Sequence, residues 1–151
     1  MTTGPRRQAR QAALRALYCW EVGRMPVATA LEAFFGEYGD EAPESLRAFT
    51  TELVHGTASD VPALDALIAQ HSSHWRIDRI AVIDRLILRM AAWELQHAAD
   101  TPPAVVLNEA VELARTFGSD ESPRFVNGVL DSIRRALAGE PGTANREPRT
   151  D

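Results

Sequence analysis

The fold is decided by the stretch IDRLILRMAAWEL at positions 83–95. Its apolar residues recur at intervals of three and four positions, which is the spacing of one face of an α-helix. The stretch is so apolar that we expect this helix to lie at the centre of the core. Asp78 is predicted to cap its N-terminus, and Pro102-Pro103 is predicted to form a non-helical joint after it.

Helical spacing also dominates the sequence on both sides of this stretch. Further helices are predicted at Arg6–Val22, at Val27–Tyr38, from Pro43 with an apolar stripe that fades near Gly56, after a cap at Asp60, from Val106 to Gly118, and after a cap at Ser122. Asn127-Gly128 is a common hairpin signal, but its apolar neighbours follow helical spacing, so we expect Gly128 to permit close helix contact. Because no segment shows a convincing strand pattern, the sequence predicts an all-α fold of about seven helices.

The C-terminal residues 139–151, GEPGTANREPRTD, contain proline and glycine and lack apolar anchors. Such a segment cannot bury enough apolar surface to order itself. We therefore expect a single domain at residues 1–138, followed by a disordered tail.

The composition excludes several classes of protein. All 16 basic residues are arginine, which excludes GxxxxGK[ST] phosphate loops, Schiff-base enzymes and Ser–Lys dyads because these need lysine. Cys19 is the single cysteine, so an internal disulfide is excluded, and its place on an apolar helix face predicts a core thiol. No apolar run approaches the ~18 residues of a membrane span, and no secretory signal is present, so we expect a cytoplasmic protein without a membrane segment.

Charge is unevenly distributed along the chain, whose formal net charge is −5. Residues 1–24 contain five arginines and one acidic residue, whereas residues 32–65 contain eight acidic residues and one arginine. This asymmetry predicts a basic surface that faces an anionic partner. The alternative interpretation is that these charges only solvate the helices.

Arginine and aromatic residues at two places in the chain suit single-stranded RNA. Four of them form a stripe on the predicted first helix and two begin the predicted last helix: Arg6, Arg7, Arg10, Tyr18, Arg124 and Phe125. Arginine binds phosphates, aromatic rings stack on unpaired bases, and a helix N-terminus favours phosphate, so the sequence predicts RNA rather than duplex DNA as the ligand. Four arginines on phosphates predict a slope of about −3 for log affinity against log salt.

Catalytic and metal-binding alternatives find weaker support in the sequence. A metal-dependent hydrolase could use His71, His74 and Asp78, but no further ligand motif completes such a site. Asp84 and Glu94 could act as general bases, but no nucleophile or phosphate loop accompanies them. The other interpretation of Asp84 is an ion pair with a nearby arginine: Arg85, Arg89 or Arg115. We therefore expect no enzymatic activity and no metal or cofactor.

The chain resembles the NusB family of bacterial transcription antitermination factors in three segments: RRQARQAALRALYCWE at 6–21, IDRLILRMAAWEL at 83–95, and PPAVVLNEAVELARTFGSDESPRFVNGVLD at 102–131. The resemblance extends over about residues 5–137. It implies an all-helical fold of two three-helix bundles that share a long central helix. A related fusion carries an rRNA cytosine methyltransferase, but no Rossmann-like alternation of strands and helices follows here, so we expect the stand-alone form.

The resemblance implies a non-enzymatic role in transcription antitermination. The protein is expected to bind the single-stranded boxA RNA of ribosomal RNA leaders together with NusE, a small-subunit ribosomal protein, and to join the RNA polymerase antitermination complex. Carried over by position, the RNA contacts are Arg6, Arg7, Arg10, Tyr18, Arg124 and Phe125, and the partner contacts are Tyr18 and Asp84. Gln8 stands where some relatives have a basic residue, and Glu121 is acidic, so both are expected to lower RNA affinity. Some relatives form homodimers, which the sequence leaves open for this chain.

The main alternative is a protein-only helical scaffold. Its basic stripe would bind an acidic partner, and RNA would not be a ligand. Competition between boxA-type RNA and an unrelated RNA of the same length separates the two hypotheses, because a scaffold prefers neither.

Overall fold

Seven α-helices occur in the part of the chain that the computed structural model describes, which is residues 4–38, 43–73 and 76–139. They are α1 (Pro5–Glu21), α2 (Val27–Tyr38), α3 (Glu44–Ser59), α4 (Val61–His71), α5 (Val82–His97), α6 (Pro103–Phe117) and α7 (Ser122–Leu137), with a short 3₁₀ helix at Ile77–Arg79. The predicted all-α class is confirmed. None of the described helices is long and apolar enough to cross a membrane.

The chain divides into two compact units, Met1–Asp60 and Val61–Asp151. The single domain expected at residues 1–138 stays a prediction. The disordered tail expected at 139–151 lies, apart from Gly139, outside the described residues.

The first unit is a bundle of α1, α2 and α3, in which each helix contacts the other two. Pro5 occupies the first turn of α1, where its missing N–H costs no hydrogen bond. The inner face of α1 combines two buried leucines, Leu14 and Leu17, with small side chains that are at most 1% exposed: Ala9, Ala12, Ala13 and Ala16. Because alanine adds little volume, α3 lies close enough for Thr50 Oγ1 to donate a 3.4 Å hydrogen bond to the Ala9 carbonyl oxygen. This packing decides which side of α1 faces solvent.

The second unit is built around α5, which contacts α4, α6 and α7. Leu86, Ile87 and Leu88 are fully buried, and Met90 is 2% exposed. The prediction that this stretch lies at the centre of a core is confirmed within this unit. The helix that carries Asp84 is therefore held in position from three sides.

Two predicted N-terminal caps do not cap their helices. Asp78 lies in the 3₁₀ helix and pairs with Arg76 at 3.1 Å, whereas α5 begins later, at Val82. Ser122 is the first residue of α7 rather than its cap, and its Oγ accepts a 2.9 Å hydrogen bond from the Ser119 N–H. Both side chains satisfy local partners in the preceding turn, which competes with capping.

Helix α3 continues through Gly56 to Ser59, although Val54 is the last buried residue of its apolar stripe. Predictions for Gly128 and the cysteine were wrong. Gly128 has open space where a Cβ would lie, so it does not bring two helices together. Cys19 is only half-buried rather than part of the core. A glycine inside a helix costs only ~1 kcal/mol, which the packing of an otherwise apolar face can offset.

A buried ion pair joins α4 to α5. Arg89 donates from Nε and Nη2 to the two Asp65 carboxylate oxygens, at 2.7 and 2.9 Å. The Arg89 side chain is 6% exposed and that of Asp65 is 23% exposed. The planar guanidinium group and the carboxylate group have matching geometry, which allows two parallel hydrogen bonds. Without Asp65, the buried Arg89 guanidinium would lose both of these hydrogen bonds.

Asp65→Asn is expected to lower the free energy of unfolding by about 3 kcal/mol, because it removes the carboxylate that holds a buried guanidinium through two hydrogen bonds. Urea denaturation measures this change. The matched control is Asp78→Asn, which removes the exposed Arg76–Asp78 pair and should change stability by less than about 1 kcal/mol. Equal losses in the two variants would contradict the importance of burial at Asp65.

Candidate nucleic-acid interface

Helix α1 carries the first part of the candidate interface. Arg6 is exposed, Arg7 is half-buried and Tyr18 is 40% exposed. Tyr18 is therefore a surface residue, as the RNA-binding hypothesis requires. The N-terminal turn of α1 and the Tyr18 ring lie on one helix of the first unit.

Arg10 does not belong to the accessible side of α1. It is only 4% exposed, and its guanidinium carbon Cζ lies 5.1 Å from the centre of the Phe49 ring of α3. Leu14, one turn further along, is 1% exposed. The prediction of an accessible basic stripe that includes Arg10 is wrong, because α3 covers the middle of that stripe. Helical spacing alone does not show which side a neighbouring helix covers.

The accessible face of α1 is rotated relative to the predicted stripe. Its residues recur at intervals of three and four positions and are half-buried or exposed: Arg7, Gln11, Arg15, Tyr18 and Val22. Arg15 is exposed and precedes Tyr18 by three positions, so the two side chains are neighbours on the helix surface. Arg15 was absent from the predicted contacts, although its spacing from Tyr18 already indicated that the two side chains share a face of the helix.

The second part of the candidate interface lies in the second unit, where a short loop joins α6 to α7. Gly118 is required in this loop, because a Cβ there would lie 2.5 Å from Ser122 Oγ. The Ser119 N–H donates to the same oxygen. This tight connection leads directly into the first turn of α7, which carries Arg124, an exposed residue, and Phe125, which is half-buried.

A cleft of about 680 Å³ lies beside this loop. Its lining combines cationic, anionic and aromatic side chains: Arg79, Ile80, Ala81, Asp84, Ser119, Asp120, Glu121, Ser122, Arg124 and Phe125. The structure thus brings the predicted RNA contacts Arg124 and Phe125 together with the predicted partner contact Asp84. That these residues form one surface with those of α1 stays a prediction.

Asp84 is a buried acid in this cleft. It is 8% exposed, and its Oδ1 has no hydrogen-bond partner among the residues that the structure describes. The alternative that Asp84 pairs with a neighbouring arginine is wrong. Those arginines bind elsewhere: Arg89 to Asp65, Arg115 to Glu112 at 3.7 Å, and Arg85 to the Ile80 carbonyl oxygen at 3.0 Å. A buried acceptor without a donor carries a desolvation cost.

His71 forms a link between helices. Its Nδ1 lies 2.7 Å from Ser132 Oγ, so it connects α4 to α7. Burial lowers the pKa of His71 below its ordinary value of 6.5. In the described ranges of the chain, no three His, Cys, Asp or Glu side chains are placed to hold a metal ion. His74, the other proposed histidine ligand, lies outside these ranges.

Comparisons with known sequences agree on one family. The sequence model of the NusB family matches residues 7–135. The transcription antitermination protein NusB of Solibacter usitatus is 44% identical over 133 residues, which cover 87% of this chain and 90% of the relative. The NusB of Bacillus subtilis is 43% identical over 129 residues, which cover 85% of this chain and 94% of the relative.

Solved structures share the helical fold. NusB of T. maritima aligns with a TM-score of 0.80 at 32% identity, covering 89% of this chain and 93% of that chain. A chain from the crystal structure of the antitermination factors NusB and NusE in complex with double-stranded RNA aligns with a TM-score of 0.79 at 25% identity, covering 87% of this chain and 97% of that chain.

Tyr18→Ala is expected to lower the free energy of unfolding by less than about 1 kcal/mol, because Tyr18 is 40% exposed. Leu14→Ala on the same helix is the control and should cost about 3 kcal/mol, because Leu14 is 1% exposed. Urea denaturation followed by circular dichroism measures both. A loss for Tyr18→Ala as large as that for Leu14→Ala would show that the tyrosine ring belongs to the core.

Mild acid is expected to destabilise the second unit through His71. The unfolded chain binds a proton on His71 near pH 6.5, whereas the lowered pKa means that the folded chain binds it only at lower pH. The contribution of neutral His71 to stability is therefore complete above about pH 6.5 and is lost as the pH falls through the lowered folded pKa. Urea denaturation between about pH 7.5 and pH 5 measures this slope. His71→Gln should flatten it, and an unchanged slope in that variant would contradict the assignment.

Proposed function

Because the chain belongs to the NusB family of transcription antitermination proteins, we propose that it binds single-stranded boxA-type RNA of ribosomal RNA leaders jointly with NusE. In this role the complex of the protein with RNA and NusE joins RNA polymerase in the cytoplasm and supports processive transcription. The protein acts by binding, not by catalysis. The observation that carries the proposal is the family match over residues 7–135, which includes every candidate contact except Arg6.

Guanidinium groups supply the phosphate contacts in this proposal. The four proposed phosphate contacts are Arg6, Arg7, Arg15 and Arg124. Exposed Arg15 replaces Arg10, which is buried. A guanidinium group binds a phosphate through paired N–H donors. Each phosphate contact on a single strand adds ~0.7 to the salt dependence, so four contacts keep the expected slope at about −3.

Tyr18 and Phe125 supply rings on which unpaired bases stack. Tyr18 is 40% exposed and Phe125 is half-buried at the cleft. Stacking of one base contributes about 1–3 kcal/mol, and bases within a duplex are not available for it. The two rings therefore favour single-stranded RNA, whereas the solved complex of NusB with NusE contains double-stranded RNA. A duplex competitor distinguishes these ligands.

Asp84 is the proposed contact for NusE. Asp84 lines the cleft and is 8% exposed, so a cationic side chain of the partner seated in the cleft would lie beside its carboxylate and be attracted to it. Asp120 and Glu121 line the same cleft and are exposed, so they add negative charge that attracts a basic partner. The same charge repels phosphate, which confines RNA to the Arg124 side of the cleft.

RNA and NusE are proposed to bind cooperatively. Two of the proposed RNA contacts, Arg124 and Phe125, line one cleft with the proposed partner contact Asp84, so a partner seated on Asp84 lies beside RNA held by these two residues. Two contacts made in one complex bind more tightly than either alone, because the second is formed at high effective concentration. NusE should therefore raise the affinity for RNA.

A labelled boxA-type RNA is expected to bind more tightly than a scrambled RNA of the same length, with a salt slope of about −3. Arg15→Gln should reduce the magnitude of the slope by about 0.7, because one phosphate contact is lost. Arg134→Gln is the control, since Arg134 pairs with Asp131 at 2.9 Å and lies outside the proposed contacts. Fluorescence anisotropy at several salt concentrations, with and without NusE, measures these quantities.

Each alternative gives a different result in the same assay. Equal affinity for boxA-type and scrambled RNA would favour the protein-only scaffold. Effective competition by duplex RNA would overturn the preference for single strands. An Asp84→Asn variant that keeps the full effect of NusE on RNA affinity would overturn the assignment of Asp84 to the partner.

A further inference from the structure

Phe49 of α3 lies against two arginine side chains of α1. The guanidinium carbon of Arg6 lies 4.1 Å from the centre of the Phe49 ring, and that of Arg10 lies 5.1 Å from it. Phe49 is 7% exposed and Arg10 is 4% exposed, whereas Arg6 is exposed. The ring therefore belongs to the core of the first unit, and of the two arginines only Arg6 is at the surface.

A guanidinium group binds an aromatic ring and a phosphate through different parts of its structure. The ring attracts the flat face of the cation, whereas the N–H donors lie in the plane of the group and point outward. Arg6 can therefore bind a phosphate without leaving Phe49. Stacking also restricts the rotamers of Arg6 beforehand, so less side-chain freedom is lost when RNA binds.

We propose that Phe49 is a positioning residue for RNA: its ring holds Arg6 in the orientation that binds a backbone phosphate. This inference rests on the proposed function, because it requires RNA as the ligand. Arg10 has a different role from Arg6. It is buried against the same ring, so it supports the position of Phe49 and does not contact phosphate.

The first unit contains a second pair of this kind, which serves as a matched control. The guanidinium carbon of Arg47 lies 4.9 Å from the centre of the Phe35 ring, and this pair joins α3 to α2. Arg47 is not among the proposed RNA contacts. Loss of the Phe35 ring removes the same type of interaction from the same bundle and should leave RNA binding unchanged.

The first experiment keeps the charge of Arg6 and removes its planar group. Arg6→Lys is expected to weaken binding of the labelled boxA-type RNA by about two- to five-fold, the effect of losing an exposed cation–π contact. The salt slope should stay the same, because the charge is retained. Arg124→Lys is the control for the same exchange at a proposed contact outside this ring. A loss for Arg6→Lys no larger than that for Arg124→Lys would overturn the proposal.

The second experiment removes the ring in two backgrounds. Phe49→Leu is expected to weaken RNA binding by about two- to five-fold when Arg6 is present and to have no effect on RNA binding in the Arg6→Gln variant. Phe49→Tyr keeps a ring and should bind RNA like the wild type. Circular dichroism melting shows whether each variant is folded, and if Phe49→Leu does not fold, the Arg6→Lys comparison decides the question.

The outcomes separate this inference from the proposed function. Absence of RNA binding by the wild type with NusE would overturn the proposed function and the role of Phe49 together. RNA binding by the wild type, with equal weakening by Phe49→Leu in both backgrounds, would overturn only the role of Phe49. A similar loss in Phe35→Leu would also overturn it, because the effect would then come from general destabilisation of the bundle.

Discussion

Every basic side chain in this protein is a guanidinium group, and the packing depends on how the buried ones are accommodated. Arg89, in the middle of α5, is held by two hydrogen bonds to Asp65 on α4. Arg10, on the inner side of α1, lies against the Phe49 ring of α3. A guanidinium group is planar and more weakly hydrated than an ammonium group. A carboxylate that accepts two hydrogen bonds, or an aromatic ring, therefore compensates the burial of arginine better than the burial of lysine. These contacts join α4 to α5 and α1 to α3.

Asp84 is the opposite case, a buried acid whose Oδ1 has no donor within the described part of the chain. The buried charges of Arg89 and Arg10 are compensated by their neighbours, whereas this carboxylate lines a cleft and its Oδ1 keeps its desolvation cost. The contact proposed for the partner is thus a carboxylate with one oxygen that the described part of the fold leaves without a donor.

Helices were predictable because their signals are local. Apolar spacing, prolines at first turns and glycines after last turns act within a few residues, and they indicated the number and order of the helices and the central place of α5 in its unit. Helix ends were less predictable. Asp78 and Ser122 satisfy neighbours in the preceding turn, and Gly56 lies inside a helix because the buried residues around it keep packing.

The sequence by itself determined the helical fold, the absence of lysine chemistry and the family, because these depend on composition and on spacing within single segments. Only the tertiary structure decided which arginines of α1 are accessible and whether Asp84 has a partner. The reason is physical: exposure of Arg10 depends on Phe49 of α3, and Arg89 of α5 binds Asp65 of α4 instead of Asp84, so both outcomes depend on a distant segment of the chain. The spacing of apolar residues within a segment does not show which distant segment packs against it.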